Sequence, residues 1–138
     1  MERRKKVQYR IIIAGGRDFD NYSKLKEVLS EYILDIYLKS NNADLPIKIE
    51  IVSGKARGAD SLGEAFAREF NYDVVEFPAD WNKHGKSAGP IRNKEMAKYA
   101  AEADKGVLFA FWDGESKGTK NMIDLAINYG LEGHIIRY

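Results

Sequence analysis

Two stretches of this chain, Ile11-Ile12-Ile13-Ala14 and Gly106 to Trp112, are apolar along their whole length instead of at every second position. A strand with one wet face alternates, so an unbroken apolar run bounded by turn residues calls for a strand buried on both faces. Such strands occupy the middle of a parallel sheet with helices packed above and below it. The remaining periodicities fit that frame. From Tyr22 to about Lys39, Leu25, Val28, Leu29, Tyr32, Ile33 and Ile36 recur at spacings of three and four. That spacing makes one helical face apolar and leaves Lys26, Glu27 and Lys39 in water.

Ser40 to Pro46 reads as a polar connector, and Ile47, Ile49 and Ile51 then alternate with Lys48 and Glu50 before Val52-Ser53-Gly54. This predicts a second strand that starts half exposed and ends buried. Ser61-Leu62-Gly63-Glu64 has capping-box spacing and opens a helix with Leu62, Ala65, Phe66 and Phe70 on its apolar stripe. Asp73 to Phe77 is a short third strand. Pro78 to Gly89 has no period and is long for a connection in a compact α/β unit, which marks a functional or mobile loop. Pro90 is preset for the first turn of a helix running to about Ala103. Thr119 is placed to cap a helix carrying Met122, Ile123, Ala126 and Ile127 and ending at Gly130, and His134 to Tyr138 is a closing strand.

Strands and helices therefore alternate through a single α/β domain over residues 1–138, with 1–8 as a basic N-terminal tail. The expected architecture is a three-layer sandwich around a five-stranded, mainly parallel sheet with right-handed crossovers. Placing the two most apolar strands side by side gives the doubly wound order 3-2-1-4-5, with a switch point between strands one and four. Neighbouring connections leave there toward opposite faces, opening a crevice at the C-terminal strand ends.

Composition narrows the function classes. The net charge of +1, from 22 basic and 21 acidic residues, lacks the basic excess of a protein that grips nucleic acid through its phosphates. The absence of Cys removes disulfides, thiol catalysis and Cys-based zinc sites together. No apolar run approaches the roughly 18 residues of a membrane span, so a cytoplasmic protein without a membrane partner is expected. His84 and His134 have no partner at metal-ligand spacing, and Ser53 and Ser116 lack a G-x-S-x-G elbow.

Four loops at the expected crevice hold the informative residues. They are Gly15-Gly16-Arg17-Asp18, Ser53-Gly54 through Arg57-Gly58-Ala59-Asp60, Gly89-Pro90-Ile91-Arg92-Asn93, and Asp113 through Gly118-Thr119-Lys120-Asn121. Glycines let backbone amides approach an anion, helix N-termini add unpaired N–H groups, and Arg supplies a planar charged fork. All three suit phosphate. The rival reading makes Gly15-Gly16 a turn, Ser61 a cap, and Arg57 and Arg92 solvated or paired with Asp60 or Asp80. Neither G-x-x-x-x-G-K-[ST] nor G-x-G-x-x-G is present, so the standard ATPase and dinucleotide signatures are missing. Trp81 and Trp112 flank the crevice, as loop anchor and core residue or as platforms for a base.

Taken in order, Ile13 through Phe19, Val52-Ser53-Gly54 through Asp60, Phe77 through Trp81, and Gly85 through Asn93 resemble the successive blocks of the YspA, YpsA-related branch of the SLOG superfamily. The resemblance implies a Rossmann-like domain that binds a nucleotide or nucleotide derivative, often in phage and bacterial conflict settings. It implies no separate cofactor, and it adds a homodimer or larger assembly through helices beside the pocket, here the first helix with Tyr22, Tyr32 and Tyr37. The related LOG enzymes cleave the N-glycosidic bond of nucleoside 5′-monophosphates with G-G-x-G-T-x-x-E and an Arg-x-x-x-Met. Arg92 and Met96 match that spacing, and Gly118-Thr119 is similar to the Gly-Thr. The acid is not: Asn121 and Met122 stand where a carboxylate is needed, and Glu115 or Asp113 would have to act from elsewhere. The DprA relatives bind single-stranded DNA. The expected function is thus a ligand-binding domain that senses or sequesters a nucleotide, ahead of an N-glycosidase, with single-stranded DNA binding third.

Overall fold

The computed structural model describes residues 6–40 and 46–138. Most of the expected basic tail and most of the polar connector lie outside them. Five strands, β1 (Val7–Gly15), β2 (Ile47–Ser53), β3 (Asp73–Glu76), β4 (Lys105–Trp112) and β5 (Glu132–Arg137), form one wholly parallel sheet of order β3-β2-β1-β4-β5. The tail ends earlier than expected, because Val7 and Gln8 already pair with Ile47 and Lys48.

The pleat divides the central strands between two cores. Ile11, Ile13, Val107, Phe109 and Phe111 face α1 (Tyr22–Lys39) and α2 (Ala59–Phe70). Ile12, Ala14, Leu108 and Ala110 face the opposite layer, α4 (Ala88–Ala101) and α5 (Lys117–Asn128), through Met96, Ala97, Met122 and Ile123. Both faces are dry over Ile11–Ala14 of β1 and Val107–Phe111 of β4, as the unbroken apolar runs require. β2 starts half exposed at Ile47 and Lys48 and ends buried, as expected, but Glu50, expected on its polar side, is buried too. Burial of that carboxylate is tolerated because Arg10 Nε donates to it at 3.1 Å and Tyr99 Oη at 2.7 Å.

Helix starts are the main departures. α2 begins at Ala59 behind Gly58, and Ser61 donates its hydroxyl to Ala56 O instead of capping. α4 begins at Ala88, so Pro90 sits inside its first turn, where no N–H is needed. The aperiodic stretch holds α3 (Trp81–His84), capped by Asp80, and a 3₁₀ turn, Gly85–Ser87. α5 is capped by Ser116, with Thr119 one turn in. Among the described residues no helix is long and apolar enough to cross a membrane, and no cluster of His, Asp and Glu could hold a metal. His134 instead stacks on Phe109 at 4.6 Å and bonds Glu132 at 2.7 Å.

Candidate functional site

The first two loops are locked together by their backbones. Gly16 N donates to Phe111 O at 3.0 Å across the switch point, and Ala59 N donates to Gly16 O at 3.3 Å. Gly58 makes that approach possible: its φ is +78°, and a Cβ there would lie 2.1 Å from Gly16 O. Gly16 faces a side chain instead of backbone: a Cβ there would meet Tyr138 Oη at 1.8 Å. That hydroxyl donates to Asp18 Oδ1 at 2.5 Å while the Tyr138 ring packs on Phe19 at 4.9 Å. Arg17 thus emerges from a pinned loop, yet its guanidinium has no hydrogen bond or ion pair among the described residues.

Beneath the second loop lies a polar network that is structural. Ser53 Oγ donates to Glu64 at 2.6 Å and accepts from Lys55 N at 3.1 Å, while Lys55 Nζ closes on Glu64 at 3.0 Å. Asp60 is buried and accepts from Ala56 N at 3.2 Å. Burial pushes its carboxyl up to about 6, against the pull of that N–H and of Arg92. Arg92 donates to Gly54 O through Nη1 and to Asn93 Oδ1 at 2.9 Å through Nε. Its own pKa is lowered by burial, opposed by Asp60 and helped by the nearby Arg17. Two guanidinium groups therefore lie close together with the buried Asp60 carboxyl below them.

The last loop completes the ring. Asp113 Oδ1 accepts from Glu115 N and Ser116 N, both at 2.8 Å, and these N–H groups hold its carboxyl below the usual range. Ser116 Oγ accepts from Thr119 N at 3.4 Å, and Trp112 Nε1 donates to Ser116 O at 3.0 Å. Asn93 Nδ2 ties α4 to α5 through Asn121 Oδ1 at 2.9 Å.

These loops enclose a cavity of about 480 Å³ at the C-terminal strand ends. Gly15, Gly16, Arg17 and Asp18 border it on one side, Trp81, Gly89, Arg92 and Asn93 on another, and Gly118 and Thr119 on a third. A second cavity of about 380 Å³ adjoins it, sharing Arg17, Ala56, Trp81 and Arg92 and adding Gly54 and Arg57. Of the other expected site residues, Ser53, Gly58 and Asp60 lie behind the walls as supports. Lys120 turns away to Asp124 at 2.9 Å, and Glu115 borders neither cavity.

Sequence reading undervalued Asp113 and Ser116, both on the wall. Their Asp-x-x-Ser spacing, an Asx turn feeding an N-cap, was the available signal. Of the two tryptophans, Trp112 has its N–H committed, whereas Trp81 is half exposed between the cavities. At the place a glycosidase acid would occupy, Met122 is core and Asn121 is bonded to Asn93. A larger cavity, about 610 Å³, lies at the opposite sheet end, but its charges are satisfied internally. There Glu132 meets Lys105 at 3.2 Å and His134 at 2.7 Å, and Asp35 meets Lys39 at 2.9 Å.

The sequence profile of the YspA, cpYpsA-related SLOG family matches residues 9–84. The chain is also 30% identical, over 127 residues, to the "Gene 61 protein" of Mycobacterium phage D29, covering 88% of this chain and 91% of that one. No solved structure matches it significantly.

Proposed function

Because the chain belongs to the YspA, cpYpsA-related SLOG family, we propose that it binds a nucleotide or nucleotide-derived ligand in the crevice at the switch point, as a sensing or sequestering domain. The observation that carries this reading is that Arg17 and Arg92 border the same cavity, close enough for their charges to repel, the first without an anionic partner among the described residues. Like charges held together by a folded frame are destabilising unless an anion joins them, and a phosphoryl group is the anion their forks fit. Opposite them, the first turn of α5 presents Gly118 and Thr119. Trp81 supplies an exposed aromatic face for a base.

Binding without turnover is favoured over N-glycosidic cleavage. The carboxylates bordering the crevice cavity of about 480 Å³ are Asp18, which Tyr138 engages, and Asp113, which two backbone N–H groups hold ionised. Neither is poised as a general acid. Thermal melts in a nucleotide panel test the proposal: a ligand at about one hundred times its Kd adds roughly 2.7 kcal/mol, a shift of several degrees. Incubation with nucleoside monophosphates should release base no faster than in Arg92→Ala. A flat melting response rejects binding, and turnover that Arg92→Ala abolishes makes the protein a glycosidase.

A further inference from the structure

The two adjoining cavities differ in charge. The larger one balances Arg17 and Arg92 against Asp18 and Asp113. The smaller one is bordered by Arg17, Arg92, Lys55 and Arg57 and by no carboxylate. Lys55 is already paired with Glu64 at 3.0 Å and Glu76 at 3.7 Å. Arg57 has no hydrogen bond or ion pair among the described residues, and it is exposed. A single phosphoryl group seated between Arg17, Arg92 and the α5 N-terminus would leave Arg57, on the far side of the Arg17–Arg92 seam, with nothing to bind.

We infer that the ligand carries two linked phosphoryl groups, one in the larger cavity and one reaching past Trp81 into the smaller cavity toward Arg57. The inference rests on the nucleotide-binding reading above and specifies its ligand class: a nucleoside diphosphate or a pyrophosphate-bridged derivative, in preference to a monophosphate. The seam residues serve both groups, which explains why two guanidinium groups are placed together there: a pyrophosphate distributes its charge over adjacent centres, and two planar forks match it better than one. Arg57 adds a contact only the second group can make. Being exposed, it works in a screened setting, so its effect belongs at the lower end of the range for a charge-assisted contact.

Calorimetric titration at fixed ionic strength tests this with matched pairs: inorganic phosphate against pyrophosphate, and the 5′-mono- against the 5′-diphosphate of each common ribonucleoside. ADP-ribose serves as a bridged probe. Within the pairs that bind, the diphosphate should be tighter by about tenfold or more, and Arg57→Ala should bring that ratio toward one. ADP tighter than ADP-ribose supports a free terminal phosphoryl group, and the reverse order supports a bridged one. Equal affinities within the pairs, or an Arg57→Ala protein that weakens both members by the same factor, overturn this inference and leave nucleotide binding standing. Absence of binding by every probe overturns both.

Discussion

Arg17 borders both cavities from a loop fixed by Gly16, Gly58 and Tyr138, while its own charged head bonds to nothing among the described residues. Removing it should therefore separate binding from folding. Arg17→Ala is expected to weaken nucleotide binding roughly ten- to a hundredfold, the equivalent of about 1.5 to 3 kcal/mol for a charged hydrogen bond, with an unliganded melting temperature close to the parent's. A large drop in that temperature would mean the side chain is structural. Asp60 behaves oppositely. Its carboxyl is raised from 3.8 to about 6 by burial, so the folded state holds the proton more tightly than the unfolded one. The stability this contributes is complete below pH 3.8 and is lost as pH rises through about 6. Comparing denaturant unfolding of Asp60→Asn with the parent between pH 4 and pH 7, the variant should gain on the parent as pH rises, by up to about 3 kcal/mol. A difference independent of pH would refute the assignment. Arg17 and Arg92 were legible in the sequence as residue types after glycines. The support role of Asp60 was not, because nothing in Gly58-Ala59-Asp60 says which way the first turn of α2 faces.

Element starts depend on backbone angles more than on side-chain signals, which is why they resisted sequence reading. Ser61 and Thr119 both looked like caps, yet one helix begins after a positive-φ glycine and the other after Ser116. The apolar periodicity of α1 and the dry runs of β1 and β4 were unambiguous, since core packing acts on whole faces and tolerates shifts at the ends. Pro78 to Gly89 kept α3 hidden because a single four-residue turn has no periodicity to display. Gly58 is the element-scale test. An Ala there must adopt φ near +78° and overlap Gly16 O, so Gly58→Ala should cost about 2 kcal/mol or more and pull the first loop off α2. Urea unfolding measures the first effect and nucleotide titration the second. A variant as stable as the parent would show that the two loops do not depend on that contact.

Across the molecule, the strand order and the position of the crevice followed from two dry strands and the handedness of crossovers, whereas assembly did not follow from anything local. The tyrosines expected to mark an interface on α1 are mostly engaged at home. Tyr22 bonds Glu69 at 2.8 Å, and Tyr32 packs edge-on to Phe109 at 5.1 Å. Leu34, Tyr37 and Leu38 are the large apolar side chains α1 leaves exposed. We propose that this stripe pairs two copies. Light scattering at tens of micromolar should then give more than the 15.7 kDa of one chain, and Leu38→Glu should return it to that mass. A monomeric parent rejects the proposal.

The bond from Tyr138 to Asp18 joins residues 120 positions apart and ties the far edge of the sheet to the loop that carries Arg17. In kinetic terms, the crevice cannot be finished by any early-folding fragment. β5 must dock on β4, and β4 must dock on β1, a pairing that sets Tyr9 against Lys105 and so closes a long loop of chain. Recovery of ligand binding during refolding should consequently trail the recovery of helical signal, and partial opening of the β5 edge should release ligand before the central strands come apart. Occupancy of the crevice would then report on completion of the sheet from β1 to β5, so a bound nucleotide slows escape from the native state through the β5 edge.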